Sequence, residues 1–233
     1  MFKNLKQYVA SNMIKKIEEA KIVLACEDDP VLFAEIACMC NNMELYDWQK
    51  ELLEAFHKNL KVDCDTRNHL VSARPKCGIT TVYALYALWN SIFRYGFNTL
   101  YYSHTFRSGK EFLKIIDTFK DNLPPYLKEE YKEKRGYDRI FESGNRILIA
   151  TGVNDCRGYS TNLTILDNCS MMINENLEDF MQCMFPVLFS GSAKHLSQLI
   201  MSNNLDVPKP FTMFYQRANE GLNLFKRPHI IDA

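Results

Sequence analysis

The sequence predicts an α/β protein: a mainly parallel sheet with helices on both faces, preceded by a small helical N-terminal segment. Three observations carry this. Apolar runs of strand length recur at 69–73, 99–103, 163–167 and 196–202. The segments between them repeat their apolar residues with helical spacing, and that alternation builds parallel sheets. Leu163–Asp167 (LTILD) is a continuous apolar run ending in aspartate. That is the form of a buried parallel strand whose carboxylate meets the ligand edge of a sheet.

At 233 residues the chain has room for one α/β domain or for one with a small appendage. Its 47% hydrophobic and 24% charged content is that of an ordinary globular protein. A formal net charge of zero removes a global basic field but leaves room for a local basic groove. The eight cysteines include no C-x-x-C pair, so the expectation is free thiols in a reducing compartment. The N-terminus lacks the apolar core of a signal peptide, and no apolar run approaches the ~20 residues of a membrane span.

In order, 2–26 carries Leu5, Val9, Met13, Ile17 and Ala20 between lysines, an amphipathic helix. Asp29 caps a second short helix over 30–40. Segment 44–58 places Trp48, Leu52, Leu53 and Phe56 on one helical face, with Tyr46 and Gln49 at its start. After a short strand at His69–Ala73, residues 80–95 form a helix with a wide apolar stripe, ended by Gly96. Residues 99–103 have strand composition, with Tyr101 and Tyr102 read as strand residues. Ser108-x-x-Glu111 reads as a capping box opening the next helix, which Pro124-Pro125 ends. The charged 128–134 reads as an exposed segment. Segments 139–142 and 146–151 flank Ser143-Gly144-Asn145 as a hairpin. Past Asp167, 176–189 and 211–220 read as helices, 196–202 as a strand ending in Ser202-Asn203-Asn204, and the final residues as a polar tail. The division expected is a helical segment, 1–43, and a core, 44–233.

The stretch between the first strand and its helix carries the chemistry. A strand, a tight glycine-containing turn and a helix N-terminus form the layout of a phosphate-binding loop. Against the pattern G-x-x-x-x-G-K-[ST], Ala73, Gly78, Ile79 and Thr80 occupy the frame. Thr80 stands where the magnesium-binding hydroxyl belongs, and Ile79 stands where the phosphate-gripping lysine belongs. Lys76, in the same turn, either faces inward or is a solvated loop charge. Gln49 offers an amide donor and acceptor in one plane, as an adenine reader would.

Taken together, these segments resemble the ATPase domain of tailed-bacteriophage terminase large subunits of the T4-like type, collinearly from about Leu45 to Phe225. Leu45-Tyr46-Asp47-Trp48-Gln49 resembles that family's adenine-binding segment. Ser72-Ala73-Arg74 through Gly78-Ile79-Thr80-Thr81 resembles its Walker A loop, with Arg74 at the early arginine. Arg157-Gly158-Tyr159-Ser160 resembles the stretch before Walker B, and Leu163–Asp167 resembles Walker B. Ile200 to Asn204 falls where the coupling motif stands. The resemblance implies a P-loop NTPase core with ATP and Mg²⁺ as cofactors. It implies nucleotide contacts from Tyr46, Gln49, Arg74, Lys76, Gly78, Thr80, Thr81 and Arg157, and metal contacts from Thr80 and Asp167. Arg74 and Asn168 then occupy the catalytic stations. It also implies double-stranded DNA as partner, a portal, small terminase subunit or separate nuclease subunit beside it, and the infected host's cytoplasm as its location.

Three departures qualify the activity. Ile79 replaces the lysine that neutralises the β- and γ-phosphates. Asn168 replaces the glutamate after Asp167; an asparagine orients water but cannot take its proton. Met201-Ser202-Asn203 replaces a Ser/Thr-rich coupling motif. After Glu220 only Asp232 is acidic, so no nuclease domain is expected. The expectation is therefore a terminase-like ATPase fold with impaired hydrolysis. The alternatives are a pseudo-ATPase binding module for DNA or another packaging protein, and a fragment of a helicase-like translocase.

Overall fold

The computed structural model describes residues 2–60, 69–151, 159–168, 198–204 and 228–231. Three helices come first: α1 (Phe2–Asp28), α2 (Pro30–Met39) and α3 (Asp47–Leu60). They are followed by β1 (His69–Ala73), α4 (Ile79–Phe93), β2 (Asn98–Ser103) and α5 (Phe106–Asn122). Six strands complete the described residues: β3 (Tyr131–Lys134), β4 (Asp138–Phe141), β5 (Arg146–Ala150), β6 (Leu163–Asp167), β7 (Gln198–Asn204) and β8 (Pro228–Ile231). The helices expected at 176–189 and 211–220 lie outside the described residues, as does Arg157.

The described strands form one sheet in the order β3-β4-β5-β2-β6-β7-β1-β8. From β5 to β8 every pairing is parallel, and β3 and β4 extend one end as an antiparallel hairpin. The fold is α/β, as the sequence predicts. The sheet is buried on both faces in its centre, and strand alternation sorts the residues. Val71, Tyr101, Ile149, Ile165 and Ile200 join the core beneath α4 and α5, while Leu70, Leu100, Leu166 and Met201 are buried outside that cluster.

Helix α4 is apolar nearly all round, with Val82 through Ser91 buried, because the sheet lies on one side and α2, α3 and α5 on the others. Asp29 caps α2 as expected, accepting from the Val31 and Leu32 amides. Phe33, Ala34, Ala37 and Cys38 of α2 enter the same hydrophobic cluster as α4. Trp89 ties α1 to this core. Its Nε1 donates to the Cys26 carbonyl at 2.7 Å, and its ring meets His57 edge-on and lies parallel to Tyr86. Among the described residues no helix is long and apolar enough to cross a membrane.

Three expectations need correction. The charged segment 128–134 contains strand β3, whose residues Tyr131, Glu133 and Lys134 pair with β4 across a register shift. An edge strand carrying charges looks like a loop in sequence, because its solvent side needs no apolar residues. Helix α5 opens at Thr105, not Ser108: the Thr105 hydroxyl accepts from the Ser108 amide. The final residues also include β8, which pairs with β1 from Leu70↔Pro228 to Ala73↔Ile231.

The hairpin end is fastened by charge. Asp117 of α5 accepts from Nε and Nη2 of Arg139, at 2.7 and 2.8 Å, and pairs with Lys134 at 2.9 Å. Burial alone would raise the Asp117 carboxyl, but its hydrogen bonds from Arg139 and Lys134 outweigh burial and hold it below the ordinary value of 3.8. A depressed carboxyl stabilises the fold fully above its ordinary value and loses that contribution as pH falls through the lower, folded value. Asp117→Asn is therefore expected to lower stability at neutral pH and to flatten its decline below about pH 4. Urea melts at pH 7 and pH 3 measure this, and an equal acid-induced decline in both proteins would refute it.

Candidate nucleotide site

The parallel strands bring the loop and the aspartate together. In the order β6-β7-β1, the strand ending in Asp167 and the strand opening the loop flank β7, which carries Ser202. Their C-terminal ends border a cavity of about 220 Å³, lined by Ala73, Arg74, Pro75, Lys76, Ile79, Thr80, Asp167, Asn168 and Ser202. Ligands of open parallel sheets bind at this edge, and the N-terminus of α4 adds its first-turn N–H groups there.

The turn from β1 into α4 is built from left-handed residues. Gly78, the N-cap of α4, has φ +91°, and Lys76 has φ +65°. Glycine adopts this conformation freely, whereas lysine does so at a cost of roughly 1–2 kcal/mol. Gly78 meets a second constraint: a Cβ there would lie 3.0 Å from Gln49 Nε2. Gln49 is only 5% exposed, and its Oε1 accepts from the Tyr46 amide at 3.0 Å. It thus forms one half of a capping box for α3 and packs behind the loop glycine. Its acceptor is engaged within the protein and its amide nitrogen lies against the loop.

The Asp167 carboxylate, 9% exposed, is held by three hydroxyls. Oδ2 accepts from Thr80 Oγ1 at 3.2 Å and from the Tyr101 hydroxyl at 2.6 Å. Oδ1 accepts from Ser202 Oγ at 2.8 Å. Burial, followed by the charge and hydrogen bond of Asp167, pushes the Tyr101 phenol well above its ordinary range, so it stays a donor. The pairing of Thr80 with Asp167 is the arrangement expected of a metal-binding hydroxyl and its carboxylate. Among the described residues, Asp167 is the cavity's one acidic lining residue and no group of three or more His, Cys, Asp or Glu converges. Such a donor set fits a magnesium ion that keeps waters and takes its other ligands from phosphate. Thr80 and Asp167 are the residues that would hold it.

Of the residues singled out from the sequence, Arg74, Lys76, Thr80, Asp167 and Asn168 meet in the cavity. Gln49 packs behind the loop glycine Gly78; Gly78, Thr81 and Tyr46, the last 67% exposed, are outside the lining. Arg157 lies outside the described residues. Ile79 lines the cavity and also packs on the hydrophobic core. Asn168 is exposed at the end of β6 with φ +59°, a conformation asparagine tolerates. Tyr101 is the site residue that sequence reasoning missed. One signal pointed to it: a tyrosine in a buried strand needs a hydroxyl partner.

No family model and no curated protein matches the chain. Solved structures do. A mutant ATPase domain of the large terminase of Thermus phage P74-26 aligns over 83% of each chain at 10% identity, with a TM-score of 0.53. The large terminase of a thermophilic bacteriophage, solved in complex with ADP, aligns over 79% of this chain at 14% identity and a TM-score of 0.59. The alignment spans only 44% of that terminase. A DEAD box protein from Methanococcus jannaschii aligns over 87% of this chain and 53% of its own, at 16% identity and a TM-score of 0.53. The likeness is one of fold, and with the loop and Asp167 at the expected sheet edge, the chain has the fold of a bacteriophage large-terminase ATPase domain.

Proposed function

We propose that this chain is a viral DNA-packaging protein of the terminase ATPase type that binds nucleotide at the Thr80–Asp167 edge and hydrolyses it poorly. The observation that carries the reading is the cavity itself. It keeps the groups that bind phosphate and metal: the helix N-terminus, Thr80, Asp167 and the basic Arg74 and Lys76. At the two stations that drive turnover it has Ile79 and Asn168. Ile79 has no donor to offer a phosphate, and it packs partly against the core. Loss of a general base costs typically ~10²–10⁴-fold in rate. In this reading Lys76 supplies the phosphate contact, and Tyr46 and Arg157 contact the nucleotide from outside the cavity lining. Residues 44–233 are the nucleotide core, and 1–43 is a helical segment docked through Cys26 and Phe33. Double-stranded DNA is the partner, with a portal, small subunit or separate nuclease beside it in the infected cell's cytoplasm.

The strain at Lys76 makes a two-sided test. A left-handed lysine persists only where something holds it, and such residues gather at functional sites. Lys76→Gly relieves the backbone, so stability is expected to stay within about 1 kcal/mol of the unmodified protein. Nucleotide affinity should nevertheless fall by roughly tenfold, the loss of one charge-assisted contact. Equilibrium binding of a fluorescent ATP analogue, beside phosphate release with and without duplex DNA, decides the matter. DNA-stimulated turnover at or above about 1 s⁻¹, the floor of ordinary enzyme rates, would overturn the claim of poor hydrolysis. Failure to bind nucleotide would overturn the whole reading in favour of a module that binds only DNA or protein.

A further inference from the structure

We propose that Tyr101 is a positioning residue that sets how much a divalent cation adds to nucleotide binding; the inference rests on the nucleotide reading above. An ionised carboxylate accepts at about four lone-pair positions. Asp167 already uses three of them, two on Oδ2 for Thr80 and Tyr101 and one on Oδ1 for Ser202. A cation that binds Oδ2 directly must displace one of the two donors there, and they differ in freedom. The Thr80 hydroxyl turns about a single bond and offers lone pairs of its own, so it can swap from donor to ligand. Tyr101 cannot withdraw. Its ring is buried and stacked on Phe112, with centroids 3.7 Å apart and planes 5° from parallel. Its strand, β2, is paired on both sides, to β5 and β6.

The protein therefore answers much of the Asp167 charge with its own hydroxyls. Magnesium sheds water reluctantly, and a carboxylate oxygen with both positions taken gives it little reason to do so. A magnesium ion would find one position open on Oδ1 and would compete with Thr80 and Tyr101 at Oδ2, so the protein's share of its binding energy would be small. Removing only the Tyr101 hydroxyl reopens Oδ2 without disturbing the stack on Phe112.

The test compares the Kd of a fluorescent ATP analogue in excess magnesium and in EDTA. For the unmodified protein the two values are expected to agree within about threefold, and Tyr101→Phe is expected to widen the ratio by about tenfold, the scale of one hydrogen bond to a charged group. A cooperative thermal melt shows that the variant is folded; if it is not, the unmodified ratio decides alone. An unmodified ratio of about tenfold or more, or a folded variant with an unchanged ratio, overturns the inference and leaves nucleotide binding standing. No binding in either buffer overturns the nucleotide reading and this inference with it.

Discussion

The double variant Ile79→Lys, Asn168→Glu is expected to hydrolyse ATP at least about 10²-fold faster than the unmodified chain when duplex DNA is present. The two changes act on different parts of the barrier. A lysine at the start of α4 neutralises charge on the phosphates, and its long stem can leave the core and reach the cavity. A glutamate after Asp167 accepts the proton of the attacking water. Each carries a structural cost. Replacing Ile79 removes an apolar contact with the core. Glutamate at 168 must adopt the left-handed conformation that Asn168 holds at φ +59°, at roughly 1–2 kcal/mol. Asn168→Asp is the better-tolerated control, since aspartate accepts that conformation more readily but reaches less far. Single-turnover phosphate release beside a thermal melt separates chemistry from folding. A folded double variant that binds nucleotide more tightly and still does not hydrolyse it would show that the defect lies beyond these two stations.

Trp89→Ala is expected to cost about 3–5 kcal/mol, a large share of the 5–15 kcal/mol that holds a typical domain together. Trp89 is completely buried where α4 meets α1 and α3. Alanine leaves a cavity between three helices and strands the Cys26 carbonyl without its donor. Trp89→Phe separates these effects. It fills most of the space and loses only the hydrogen bond, for about 1–3 kcal/mol. Urea unfolding followed by circular dichroism gives the magnitudes. Hydrogen exchange should show the C-terminal half of α1 losing protection first. A loss below about 1 kcal/mol for the alanine variant would mean that α1 is held elsewhere.

What the sequence revealed of this fold follows from where each signal originates. Strands β1 and β6 and helix α4 were legible because burial on all sides writes itself as an apolar run. The Asp29 cap was legible because its partners lie within three residues. Strand β3 was not, since its Tyr131–Lys134 sequence is fixed by pairing with β4 rather than by burial. The start of α5 was misplaced because Thr105 and Ser108 present competing hydroxyls three residues apart, and only the backbone decides which one caps. At the site, Thr80 and Asp167 were found by motif frame. Tyr101 escaped because its partner is 66 residues away in sequence. Gln49 was read as an adenine contact; in the structure its carbonyl turns to its own helix start and its amide nitrogen lies beside Gly78.

The strand order carries a consequence for synthesis. Both neighbours of β1 are made long after it: His69 pairs with Ile200, and Leu70 with Pro228. At ribosomal rates of roughly 5–20 residues per second, β1 waits on the order of 10 s for β7 to follow it out. Until then the loop between β1 and α4 lacks part of its floor, because Ser202 has not arrived to join Asp167. During that interval an apolar strand with two open edges is exposed, the most sticky stage in the chain's life. The loop between β1 and α4 is encoded early and its surroundings are completed late, so any ligand of this site meets the finished cavity only after the sheet has closed.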